Sequence, residues 1–181
     1  MSNPITAQSE MRQVLEKFPG AQRALFRRYH IGGCASCGFQ PDETLAGLCQ
    51  RNSLEVAEVI RHIESSHQQD EEMQITPVEL AALREKGPVR LVDIRTREEF
   101  EAVRIEGAVL FSQTLMQEIL GRWPREELVV IYDHLGRASL DAAAYFLGHG
   151  FTRVRCLRGG LDAWAVAVDP KLPRYDLEYA T

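Results

Sequence analysis

Two stretches carry residue types and spacings that could do chemistry: Gly32-Gly33-Cys34-Ala35-Ser36-Cys37-Gly38 and Asp133-His134-Leu135-Gly136-Arg137-Ala138-Ser139. In the first, two thiols stand three positions apart between glycines that allow a tight turn. Both sulfurs could then face one metal or close a disulfide, although two free thiols in a turn fit the same residues. A closed zinc site needs four ligands. Cys49 falls on a predicted helix roughly 10 Å from the loop at ~1.5 Å rise per residue, which makes it a poor third ligand. His30 and His62 are candidate partners that also read as ordinary helix-face residues, and a dimer could bring two thiol pairs together. In the second stretch, Asp133 ends the apolar run Leu128–Tyr132 and precedes a glycine loop and a predicted helix start. A carboxylate placed there can cap the loop by accepting its N–H groups. It can also serve as an aspartyl nucleophile, with His134 as an adjacent base. No second carboxylate follows nearby to share a metal.

The elements that must position these stretches fall into two patterns. Up to Ser66 the apolar residues recur at helical spacing. Met11, Val14, Leu15 and Phe18 mark one helix, and Ala21, Ala24 and Leu25 a second after the Pro19-Gly20 turn. Leu45, Leu48 and Cys49 mark a third. Val56, Val59, Ile60 and Ile63 mark a fourth, with Ser53 as its expected N-cap. The polar, acidic residues 67–74 read as a linker or a frayed helix end. From Ile75 strands alternate with helices. Val89–Ile94, Gly107–Phe111, Leu128–Tyr132 and Val154–Leu157 read as strands. Arg97–Val103, Leu115–Trp123, Ser139–Leu147 and a segment through Trp164 read as helices. That alternation predicts an α/β domain over 75–181 with a parallel sheet flanked by helices, preceded by a small all-helical domain over 1–66.

Three motifs in the second domain resemble the rhodanese family. Leu91–Ala108, LVDIRTREEFEAVRIEGA, is similar to the family's Asp-x-Arg strand end, Glu-Glu-Phe helix and Gly-Ala. Leu157–Trp164, LRGGLDAW, is similar to its Leu-x-Gly-Gly-x-x-Ala-Trp. The loop after Tyr132 lies where that family places its active site. The resemblance covers roughly Ile75 to Tyr175. It implies sulfurtransferase ancestry and a loop similar to Cys-x-x-Gly-x-Arg-Ser, in which a cysteine thiolate carries sulfane sulfur among backbone N–H groups and a helix N-terminus. Here the loop length, Gly136 and Ser139 are kept. Asp133 stands at the position of the cysteine, Ala138 at that of the arginine, and Arg137 one residue early, from where it could turn back inward. A carboxylate cannot form a persulfide, so the resemblance implies a domain that has lost sulfur transfer and fills its pocket with its own charge. Cys156, on the next strand, reads as a core residue. Arg95 and Arg97 read as members of surface or inter-element ion pairs.

The first domain resembles a small helical family of unknown function associated with hybrid-cluster-type redox proteins, on Phe18-Pro19-Gly20, Leu25, Cys34, Cys37 and Glu43-Thr44-Leu45 in order. It is more distantly similar to the N-terminal domain of iron-centre repair proteins. This implies a redox or iron–sulfur association, with a metal or cluster at Cys34 and Cys37 as the candidate cofactor.

Composition narrows the function classes. The chain has 181 residues and a formal net charge of −5. Up to Gln74 there are 7 basic and 10 acidic residues, and 14 and 16 after it, so neither part is a basic arm and no nucleic acid is expected as partner. No apolar run is long enough for a membrane span. The polar first eleven residues lack a signal-peptide core, so a cytoplasmic location is expected. Four cysteines in such a chain suggest thiol chemistry rather than a disulfide scaffold. The readings left are three. One is a sulfurtransferase-inactive rhodanese-like module that binds or regulates a protein partner, with self-association as an option. The second is a sulfur or redox carrier working through Cys34 and Cys37. The third is an aspartyl hydrolase using Asp133.

Overall fold

The computed structural model describes residues 5–32 and 38–175. The chain divides into two compact units, Met1–Glu72 and Met73–Thr181. In the first, helices α1 (Met11–Lys17), α2 (Ala21–Tyr29), α3 (Leu45–Arg51) and α4 (Val56–Met73) pack around Met11, Val14, Leu25, Leu45, Leu48, Val59 and Ile63. An isolated antiparallel bridge between Glu10 and Thr44 joins the lead-in residues of α1 and α3. The expected helices are all present, with two corrections. Residues 67–74 are not a linker, because α4 continues to Met73 and Gln74 already belongs to a strand. The acidic stretch stays helical because it has its own contacts. His67 meets the Phe18 ring edge-on at 4.9 Å, and Asp70, only 3% exposed, pairs with Arg23. Ser53 is not the N-cap of α4. It sits in the left-handed region at φ 56°. Glu55, directly before the helix, accepts from the Glu58 N–H at 2.7 Å instead, satisfying one of the exposed first-turn donors.

The second unit is an α/β domain. Strands β1 (Gln74–Ile75), β2 (Arg90–Asp93), β3 (Ala108–Leu110), β4 (Val129–Tyr132) and β5 (Val154–Leu157) form one sheet in the order β1-β5-β4-β2-β3, with every pairing parallel. The central strand β4 is buried on both faces, and its residues divide between two cores as the two-residue period of a strand requires. Val129 and Ile131 face a layer built from α7 (Gln113–Arg122) and α8 (Ala138–Gly148), with Ile119, Leu140, Ala143 and Phe146. Val130 and Tyr132 face the opposite layer, where Leu80 of α5 (Pro77–Lys86) and Leu161 and Trp164 of α9 (Gly160–Ala167) pack with Val103, just beyond α6 (Arg97–Ala102).

Helix α5 and strand β1 were not among the expected elements. Their sequence signal was present. Thr76-Pro77-Val78-Glu79 is a capping box with proline in the first turn, in which Thr76 Oγ1 accepts from the Glu79 N–H at 3.2 Å and the Glu79 carboxylate accepts from the Thr76 N–H at 2.9 Å. Thr96 and Glu99 repeat the arrangement at the start of α6.

Candidate functional site

The seven residues Asp133–Ser139 leave the C-terminal end of the central strand and turn into α8. Gly136 takes φ 75°, and a Cβ there would lie 2.7 Å from both Leu157 O and Gly159 N, so the loop needs a glycine. The loop rests on the pair Gly159-Gly160. A side chain on Gly160 would collide with the carbonyl oxygens of Asp133 and His134. Its absence lets those two carbonyls dock on the start of α9, where the Leu161 N–H donates to Asp133 O at 2.9 Å and the Asp162 N–H to His134 O at 3.1 Å. The N-terminus of one helix thus fixes the loop backbone, while the loop itself forms the N-terminus of another.

The Asp133 side chain lies inside this turn. Its Oδ2 accepts from the Arg137 and Ala138 N–H groups, both at 3.1 Å. Its Oδ1 accepts from Ser139 Oγ at 2.8 Å and more weakly from the Ser139 N–H at 3.4 Å. The unsatisfied N–H groups and the dipole of α8 favour a negative charge there. Both oxygens are occupied by donors, so neither is presented as a free nucleophile. Arg137 contributes its N–H, and the residue is exposed to solvent. Ala138 and Leu135 also face outward.

His134 departs from the expectation of a partly exposed loop residue. It is 5% exposed. Its carbonyl is held down on α9, and its ring lies flat against Tyr175, with centroids 4.2 Å apart and planes 25° apart. Among the described residues its Nδ1 is buried without a hydrogen-bond partner. Among the described residues no hydrogen bond joins His134 to the Asp133 carboxylate, so the two do not form an acid–base couple.

Arg95 is likewise a correction. It is not a surface group but the centre of a buried cluster at the end of β2. Its Nη2 donates to Asp93 Oδ2 and to Val103 O, both at 2.6 Å, its Nε donates to Asp93 Oδ1 at 3.0 Å, and its Nη1 donates to Tyr175 Oη at 2.7 Å. Tyr175 in turn donates to Glu99 Oε1 at 2.8 Å. Burial opposes the charge on Arg95, but Asp93 more than compensates and holds the guanidinium firmly protonated. Burial pushes the neighbouring Tyr132 phenol far above its usual range, and the Asp93 charge adds to the effect. Arg97, by contrast, reaches Glu101 at 3.7 Å on the exposed face of α6, as expected of a surface pair.

Cys34 and Cys37 lie outside the described residues. Of the candidate partner ligands, the His30 side chain is exposed. His30 caps the C-terminus of α2 in a left-handed conformation. His62 Nε2 contacts Ala24 O at 3.0 Å. Cys49 is a buried free thiol whose pKa burial pushes up. Among the described residues no group of three or more His, Cys, Asp or Glu side chains could hold a metal ion. Cys156 is buried within the sheet, as its strand position implied. No helix among the described residues is long and apolar enough to cross a membrane.

A doubly covered parallel sheet, with a glycine loop leading from its central strand into a helix N-terminus, places the molecule among single-sheet α/β proteins with an anion-cradling loop. The chain belongs to the rhodanese-like domain family, whose model matches residues 76–167. It is similar to the thiosulfate sulfurtransferase GlpE of Pseudomonas savastanoi, with 32% identity over 91 residues, covering 50% of this chain and 85% of that protein. It is also similar to a sulfurtransferase of Allochromatium vinosum, with 40% identity over 77 residues, covering 42% of this chain and 72% of that protein. The crystal structure of reduced Bacillus anthracis CoADR-RHD superposes with a TM-score of 0.50 at 19% identity, covering 65% of this chain and 20% of that one, a likeness of fold alone.

Proposed function

We propose that this rhodanese-family chain does not transfer sulfur at its loop, and that the domain is a binding or regulatory module in sulfur, redox or iron–sulfur metabolism, acting on a protein partner. The observation that carries the reading is the Asp133 carboxylate. At the position read as the family's cysteine, it accepts four hydrogen bonds from the loop and the first turn of α8. The charge that a thiolate or an oxyanion would bring to such a loop is already there, and a carboxylate has no sulfur to pass on. The same occupancy argues against an aspartyl hydrolase, since a nucleophile needs a free lone pair facing its substrate.

One observation favours a second reading. Cys49 and Cys156 are both buried, so any sulfur or redox equivalent carried by the chain falls to Cys34 and Cys37, which the resemblance of the first domain links to redox or iron–sulfur proteins.

A thiosulfate–cyanide assay separates the two. No turnover above a protein-free control is expected. Turnover that survives Cys34→Ser with Cys37→Ser overturns the proposal, and turnover abolished by those changes moves the chemistry to the thiol pair. In the converse arm, Asp133→Cys should gain a cyanide-labile sulfur, since the N–H donors remain. It should turn over poorly, because Ala138 offers no guanidinium to an anionic donor, and Ala138→Arg added to it should raise the rate. Metal and iron analysis of protein purified without oxygen tests the Cys34–Cys37 pair directly.

A further inference from the structure

We propose that the segment Leu172–Tyr175 is a releasable latch that governs access to His134, so that the histidine next to Asp133 is a gated side chain rather than a permanently buried one. After α9 ends at Ala167 the chain has no further helix or strand among the described residues. It nevertheless returns to the loop. Arg174 forms a two-point ion pair with Asp162, at 2.6 and 3.0 Å. Asp162 is the residue whose N–H holds the His134 carbonyl. One position later, Tyr175 covers the His134 ring and ties its hydroxyl to Arg95 and Glu99. One short segment therefore touches the loop, the start of α9, the end of β2 and the start of α6.

Two features make this contact a latch rather than an ordinary piece of core. The first is its thin hold. Arg174 is mostly exposed, Leu172 and Tyr175 pack on the core while only partly buried, and among the described residues no backbone ladder fixes the segment, features of elements that open locally before the fold does. The second is what it covers. Among the described residues His134 Nδ1 is buried with no partner, a state that calls for an explanation in a buried polar group. When Tyr175 lifts, the imidazole of His134 and the Nη1 edge of Arg95 are uncovered together, a pair suited to receive an anionic or aromatic group from outside. Asp133 keeps its own donors throughout, so opening does not require the loop to refold. This inference stands whether or not the loop proves inert toward sulfur.

The test is histidine acylation by diethyl pyrocarbonate, mapped by mass spectrometry on the full chain, with the exposed His30 and His149 as internal standards. In the wild type His134 should react at least about tenfold more slowly than the standards, reflecting a mostly closed segment. Tyr175→Ala should bring it close to their rate, Arg174→Ala part of the way, and Tyr175→Phe, which keeps the ring, less than Tyr175→Ala. Folding of each variant is checked by tryptophan emission. A wild-type His134 as reactive as His149, or one that stays protected in folded Tyr175→Ala, overturns the proposal. If Tyr175→Ala does not fold, labelling of the wild type across a urea series decides. Reactivity that rises before the fluorescence transition supports a latch, and reactivity that rises only with it shows the segment to be part of the cooperative core.

Discussion

Replacing Arg95 by Leu removes one member of an ion pair whose side chains are 2% and 0% exposed. Asp93 would keep its buried charge and lose the guanidinium, and both the Val103 carbonyl and Tyr175 Oη would lose a donor. Breaking a buried pair from one side costs about 3–5 kcal/mol, because the remaining charge is left without compensation. Against a total stability on the order of 5–15 kcal/mol for a domain, that is a large fraction. With a urea m-value of about 2 kcal/mol per molar, the midpoint should fall by roughly 1.5–2.5 M. The readout is specific to this unit, since the chain's two tryptophans, Trp123 and Trp164, both lie within it. Asp93→Asn should cost a similar amount by stranding the cation. The double variant Asp93→Asn with Arg95→Leu should lose less than the sum of the two, with a coupling of about 2 kcal/mol or more. A midpoint shift below ~0.5 M for Arg95→Leu, or strict additivity in the cycle, would refute the view that this pair anchors the end of β2.

Two further outcomes are expected. Gly160→Ala should destabilise the domain by about 2–5 kcal/mol in the same urea assay, combining a left-handed φ of 61° with a methyl driven into the Asp133 and His134 carbonyls; Gly148→Ala, where a Cβ meets nothing within 4 Å, is the control. Acid should also destabilise this unit. Burial works against the Glu99 carboxylate, but hydrogen bonds from Thr96 and Tyr175 and the charge of Arg95 outweigh it and hold its pKa below the ordinary 4.5. A carboxylate depressed in the folded state stabilises above its unfolded pKa and loses that contribution as pH falls through the folded one. The urea midpoint should therefore drop as pH is lowered below 4.5, and Glu99→Gln should flatten that slope. An unchanged slope would assign the acid limb to other carboxylates.

The alternation of strands and helices was readable because parallel strands buried on both faces appear as short apolar runs, and Val129–Tyr132 shows this most clearly. The boundary between the units was less readable. The acidic run after Ser66 lacks an apolar period, and its helix depends on Arg23 meeting Asp70 and Phe18 meeting His67, contacts between residues distant in sequence. The first strand escaped notice because two residues give no period at all. At the site, a carboxylate facing loop N–H groups was implied by the resemblance of Asp133–Ser139 to the family's cysteine loop, whose length, glycine and serine are kept. The burial of His134 and Arg95 did not follow, because the residue that covers both, Tyr175, comes from an irregular segment with no pattern to mark it. Arg137 was allowed an inward path by its position, but the loop needs only its N–H.

The docking of the Asp133 and His134 carbonyls on Gly159-Gly160 separates the form of the loop from its content. What shapes the turn is a pair of residues encoded well downstream together with Gly136 inside it, while the charge that occupies it is set at position 133. The occupant could therefore be exchanged by changing one codon while the glycines that seat the backbone stay the same. Selection on the paired glycines then sees architecture whatever the occupant, whereas position 133 supplies the charge that the turn's N–H groups face.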